Sequence, residues 1–284
     1  MKVFNVLRVS LFVSLGIAAF SATSARLVSA QERSVKQADE DFVHAARSGQ
    51  TAALGALLDR DFTWTDGDGR TLDKAEVLKS LPTLADATGT TERTYGSVVT
   101  FLSSQGKTHV LRIWVKRPDG WRLLVYHQVT QRSEPPPPGG TGMTDCENPC
   151  KAVPIKPKNS DEQAVIASWQ ALETGVTAHN AAAWSPHISD DFIQVSSNND
   201  HPLDKAGRMA ILDRQKQSGV GSAPAPLVSA TMYDFGDTIV MTCLHQPYHG
   251  KPVRVSRVWI KRDDKWTMSI SFQTAVQAAE AKSS

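Results

Sequence analysis

The sequence predicts an α+β protein in which one unit occurs twice, each copy placing helices over one face of a bent sheet. Three observations predict it. Two stretches repeat the same short motifs in the same order, a proline-rich segment separates them, and each runs from helical periodicity into strand alternation.

The repeat is carried by matched residues. Asp61-Phe62 corresponds to Asp191-Phe192, and Leu72-Asp73-Lys74-Ala75 to Leu203-Asp204-Lys205-Ala206. Arg112-Ile113-Trp114-Val115-Lys116-Arg117 corresponds to Arg257-Val258-Trp259-Ile260-Lys261-Arg262, followed by Trp121 with Trp266 and Gln128 with Gln273. The second copy carries a longer hairpin around residues 246–252. Between the copies, residues 134–159 hold four consecutive prolines, three glycines and three further prolines, a composition suited to a semi-rigid linker. The expected organisation is an export signal at 1–30, a first domain at 31–133, the linker at 134–159, a second domain at 160–278 and a tail at 279–284.

The elements follow in order within each copy. Val35, Ala38, Phe42, Ala45 and Ala46 fall on one helical face, with Gly49 as a stop; Val165, Trp169, Leu172 and Val176 do the same in the second copy. A short helix at 52–58 leads into the Asp61-Phe62 strand, and Asp66-Gly67-Asp68-Gly69 signals a turn. Asp73, with Glu76 three residues on, is an N-cap with a capping-box acid, opening a helix through Leu81. A strand meander ends each copy, with a hairpin turn at 116–120 and its counterpart at 261–265.

Composition bounds function. The 284 residues are 40% hydrophobic, 21% charged and 7% aromatic, which excludes a disordered, collagen-like or polytopic membrane protein. Lys2, Arg8 and Arg26, unopposed by acid in the first thirty residues, exceed the whole formal charge of +2, so bulk charge supports no nucleic-acid role. Those residues read as a secretory signal: a basic start, an apolar run from Val9 to Phe20 too short to span a membrane, and Val28-Ser29-Ala30 for cleavage before Gln31. No Cys follows the run to anchor a lipid. The expected location is exported, periplasmic or secreted. In an oxidising compartment Cys146 and Cys150 are placed to close a small disulfide loop, while Cys243 reads as a buried small hydrophobe. No metal-ligand spacing, phosphate-binding glycine loop or nucleophile elbow occurs, so no metal or cofactor is expected. The spacing of Asp66-Gly67-Asp68-Gly69 falls short of a calcium loop.

Strand alternation assigns faces. Trp266, Met268, Ile270 and Phe272 share one side of the last strand, and the same register puts Trp121, Leu123, Val125 and His127 inward, toward the helices. His127 then stands where the second copy has Phe272. An imidazole on an apolar face needs partners. It is either a polar anchor or general base, or a core histidine satisfied by backbone or by water at the strand end. Ile113 and Val115 are likewise assigned inward, leaving Trp114 and Trp259 on an outer face between Arg and Lys stems.

The order of Asp-Phe after the opening helices, a turn and capped helix, Arg-x-Trp-x-Lys-Arg and a Trp-initiated last strand resembles the nuclear transport factor two-like superfamily, closest to its SnoaL-like and ketosteroid-isomerase-like branch. The resemblance covers most of both copies. It implies two cone-shaped domains, helices over a curved antiparallel sheet around an apolar pocket, and members that associate through their sheets. Its isomerase catalytic set does not transfer residue by residue, and only His127 answers to a cyclase acid–base pair. His127, Trp64, Trp121 and Val125 are the expected ligand-binding residues, with Trp64 (Gln194 in the other copy) read as pocket wall or core. Trp114 and Trp259 are the expected interface of an intramolecular pseudo-dimer or homodimer. The expected function is binding a small apolar molecule or a partner protein, with the first copy as the ligand site. The alternatives are an isomerase or cyclase using His127 as base on an apolar carbonyl compound, and an interaction module with filled cavities.

Overall fold

Helix and strand periods alternate along the chain as the sequence predicts, and a computed structural model describes residues 33–132, 145–219 and 224–277. The expected signal at 1–30, the four-proline run and the tail at 279–284 lie outside them.

In the first domain α1 (Val35–Arg47) and α2 (Thr51–Leu57) precede β1 (Leu58–Thr65) and β2 (Thr71–Asp73). Then come α3 (Lys74–Lys79), β3 (Thr88–Tyr95), β4 (Val98–Gln105), β5 (Thr108–Arg117) and β6 (Gly120–Thr130). Ser34 caps α1, and Asp73 with Glu76 forms a full capping box on α3. The second domain repeats the plan. After α4 (Ser160–Thr177), α5 (Ala181–Trp184) and a 3-10 turn come β7 (Ile188–Ser196) and β8 (Leu203–Asp204). They are followed by α6 (Lys205–Ser218), β9 (Leu227–Asp234), β10 (Thr238–His245), β11 (Val253–Arg262) and β12 (Lys265–Ala275). The strand orders correspond: β2-β1-β6-β5-β4-β3 and β8-β7-β12-β11-β10-β9. Pairing is antiparallel except where β1 meets β6 and β7 meets β12. No described helix is long and apolar enough to cross a membrane.

One face of each sheet packs on its own helices, giving a core around Phe42, Trp114 and Leu123 in one domain and around Trp169, Trp259 and Met268 in the other. The opposite faces pack on each other. Leu111, Ile113, Val115 and Val125 of the first sheet share a core with Val258, Ile260, Ile270 and Phe272 of the second. Burying each such side chain contributes about 1.5–3 kcal/mol. Both faces of β5 and β11 are therefore covered, so strand alternation there separates two cores rather than core from solvent.

The assignment of faces needs correction. Ile113 pairs with Val125 but Trp114 pairs with Leu123, so Leu124 is an extra residue in β6; Ser269 is its counterpart in β12. Two residues opposing one form a β-bulge, which reverses the alternation beyond it. Trp121 and Leu123 therefore face the helices, whereas Val125 and His127 face the other domain. Trp114 and Trp259 lie on the helix side, and the surface joining the sheets is formed by Ile113, Val115 and their counterparts.

Residues 145–159 of the expected linker lie against the second domain. Cys146 and Cys150 form a disulfide, Asn148 exchanges two hydrogen bonds with the backbone of Leu227 on the edge strand β9, and Val153 and Ile155 pack on the core.

Candidate functional site

In the first domain, helices and sheet pack around a core that includes Phe42, Trp64, Trp114 and Tyr126. β1 and β6 run parallel with Trp64 beside Tyr126, and the two rings stack at 3.7 Å. Tyr126 accepts a hydrogen bond from the Ala85 amide through its hydroxyl oxygen, and burial pushes its pKa up to about 12. Below them Arg112 makes a two-pronged pair with Asp39, Nε to Oδ1 at 2.7 Å and Nη2 to Oδ2 at 2.9 Å, and Trp114 donates to the same Oδ1 at 2.8 Å. This is a closed, charge-balanced network. Trp64 is thus core. Trp121 is partly buried under the Lys116 ammonium, against the helix-side core.

Val125 and His127 belong to the core between the sheets, which overturns the placement of His127 on a pocket wall. Its side chain is fully buried: Nδ1 lies 2.8 Å from Ser256 Oγ and Nε2 3.1 Å from Thr274 Oγ1, both in the second domain. Thr274 spends its own proton on the carbonyl of Gln128, so its oxygen accepts from Nε2–H and Ser256 donates to Nδ1. Burial holds the pKa down at about 3. A neutral imidazole with both nitrogens engaged and no access for a substrate has no base to offer.

The second domain differs at the matched positions. Where Trp64 pairs with Tyr126, β7 and β12 place Gln194 beside Ser271. Gln194 lies on the wall of a cavity of about 340 Å³. Its charged wall residues are Glu173 on α4, Arg208 on α6 and Arg257 on β11; Gln194, Gln273 and His245 add polar groups. Arg208 stands where the first domain has the buried Val77, by the alignment of Lys205 with Lys74. α6 runs for 14 residues against 6 in α3, and its extension brings Ile211 and Gln215 to the cavity.

The charges are organised by their neighbours. His245 donates from Nδ1 to the carbonyl of Ala225 at 2.8 Å, which leaves the Nε2 lone pair to accept from Arg257 Nη1 at 3.3 Å. Burial first, then the adjacent guanidinium, pushes the His245 pKa down to about 3. Arg257 lies over the Trp169 ring at 4.8 Å, with Cys243 Sγ 3.3 Å from Nη1 and Glu173 Oε1 3.8 Å from Nη2. Glu173 already accepts from Trp169 Nε1 at 2.8 Å. Burial pushes the Cys243 thiol pKa up, so it is no ready nucleophile. Among the described residues no three His, Cys, Asp or Glu side chains gather as a metal site would require.

Arg208, Arg257, Glu173 and His245 were not singled out by sequence reasoning. The available signal was the pair Trp64 and Gln194: the copy that loses an aromatic at a core position gains a space.

No protein-family model matches the chain, and no curated protein sequence matches it. Solved structures do. An NTF2-like protein from Cytophaga hutchinsonii is 16% identical over 41% of this chain and 98% of its own, with a TM-score of 0.35. One from Rhodospirillum rubrum, described as of unknown function in nutrient uptake, is 21% identical over 35% of this chain and 100% of its own, with a TM-score of 0.30. One with a cystatin-like fold from Novosphingobium aromaticivorans is 13% identical over 43% and 85%, with a TM-score of 0.34. The chain is an α+β protein of two tandem domains, each six strands under helices, and several of the solved structures similar to it are described as NTF2-like.

Proposed function

We propose that the protein is an exported binding protein that holds a small molecule in the cavity of its second domain, with the first domain as a filled structural partner. One contrast carries this reading. On the same scaffold, Trp64 stacked on Tyr126 closes one interior, while Gln194 beside Ser271 leaves about 340 Å³ open in the other. That volume lies at the lower end for small-molecule sites, and convergent polar groups line it. The joined sheets make the pair an intramolecular pseudo-dimer, built on the Ile113 and Val258 faces. Export is supported by the basic, apolar and small-residue pattern of residues 1–30 and by the Cys146–Cys150 bridge, which suits an oxidising compartment.

The test is a fragment screen by ligand-observed NMR on the wild type and on Gln194→Trp with Ser271→Tyr, which refills the space on the pattern of the first domain. Fragments that bind the wild type are expected to be lost in the double variant. Binding that survives intact places the ligand elsewhere and defeats the reading.

A further inference from the structure

We propose that the second-domain cavity is a carboxylate site, in which the anionic end of a small polar acid supplies to Arg257 the partner that Asp39 supplies to Arg112. The inference rests on the reading of that cavity as a ligand site and adds its chemistry.

The two domains provide the comparison internally. α1 and α4 end alike: the Gln50 amide donates to the carbonyl of Ala45, and the Asn180 amide to that of Gly175. The offset that pairs Gln50 with Asn180 and Phe62 with Phe192 also pairs Asp39 with Trp169. Arg112 and Arg257 occupy the same place in their strands, opposite Tyr126 and Ser271. In the first domain the carboxylate of Asp39 saturates the guanidinium edge and the neighbouring indole of Trp114. In the second, an indole ring replaces that carboxylate. Arg257 Nε and Trp259 Nε1, the atoms matching those two donors, are buried and have no hydrogen-bond partner among the described residues.

A buried guanidinium with an unmade hydrogen bond is costly, and charge-assisted bonds to a carboxylate are among the strongest it can make. Glu173 does not fill the role, being 3.8 Å away and engaged by Trp169. Arg257 is nevertheless held in place, stacked on Trp169 and fixed through His245, so little ordering remains to be done on binding. Arg208 lines the same cavity and makes no hydrogen bond among the described residues, its pKa lowered by burial. Two arginines against one glutamate leave the wall with an excess of positive charge. Beyond the anionic end, Gln194, Gln273, Asn198 and Asn199 offer amides, and Gln215 Oε1 is a buried acceptor without a donor among the described residues. The ligand class is therefore a small carboxylic acid that also carries a hydroxyl or N–H.

The experiment titrates the full-length protein by calorimetry with lactate, N-acetylglycinate and 4-hydroxybenzoate, each paired with its neutral primary amide. At least one carboxylate is expected to bind roughly tenfold or more tighter than its amide, and Arg208→Gln and Arg257→Gln each to weaken it by a similar factor. Trp169→Asp, which restores an internal carboxylate, is expected to abolish binding. Should that variant fail to fold, the comparison with Arg208→Gln decides. Amides binding as well as their acids, or acids indifferent to Arg208, would overturn the carboxylate assignment and leave the cavity reading standing. If neither series binds, and the fragment screen of the wild type is also empty, both readings fall.

Discussion

His127 and Phe272 occupy matched positions in β6 and β12, and they meet at 6.2 Å in the same core. The imidazole there is a latch between domains, not a reactive group. Its hydrogen bonds to Ser256 and Thr274 exist only while the sheets are joined, and burial keeps the ring neutral there. A histidine with its folded pKa near 3 binds fewer protons folded than unfolded below the unfolded value near 6.5. Its contribution is therefore complete above pH 6.5 and is lost by ~1.4 kcal/mol per pH unit as pH falls from there toward 3. His127→Gln keeps a donor and an acceptor but does not titrate. Urea unfolding at stepped pH is expected to show a shallower acid loss of stability in this variant; equal slopes in both proteins would contradict a neutral buried ring. His245 carries a similar depression, so part of the acid loss persists.

The elements show how small changes redirect the same plan. One extra residue in β6 and one in β12 turn the last strands over midway, so that Trp121 and Trp266 cover the helices while Val125 and Ile270 join the domains. The capped helix after β2 or β8 differs mainly in length, and the longer α6 reaches the cavity. Its first-domain counterpart, α3, is held by reciprocal bonds, the Asp73 carboxylate accepting from the Glu76 amide and Glu76 from the Asp73 amide, each at 2.9 Å. Asp73→Ala is expected to cost about 1 kcal/mol in denaturant unfolding. A midpoint that does not move would mean that packing of Val77 alone holds this short helix.

At the scale of the whole molecule the two sheets form one shared apolar layer, reinforced by Tyr95 with Ser269 at 2.7 Å and Thr238 with the carbonyl of Tyr95 at 3.2 Å. The domains are expected to unfold as one cooperative unit. Val258→Asp buries an unpaired carboxylate in that layer at a cost of several kcal/mol. Hydrogen exchange should show protection falling in strands of both domains; loss confined to the second domain would argue for independent folding.

Much of the architecture was legible in the sequence, because motif repetition, helical periodicity and capping are local properties. The duplicated unit, the α+β class, the N-cap at Asp73 and the divergence of Trp64 from Gln194 could all be read from residue order. Which face each strand presents could not, since a bulge is a relation between two strands and β5 and β11 are buried on both sides. Nor could the site: Arg257, Arg208, Glu173 and His245 come from four different strands and helices, beyond one another's sequence neighbourhood. Only folding revealed that one arginine is satisfied by Asp39 while its twin lies against Trp169 with a donor unused, because the fate of a buried charge depends on what packing brings within reach of it.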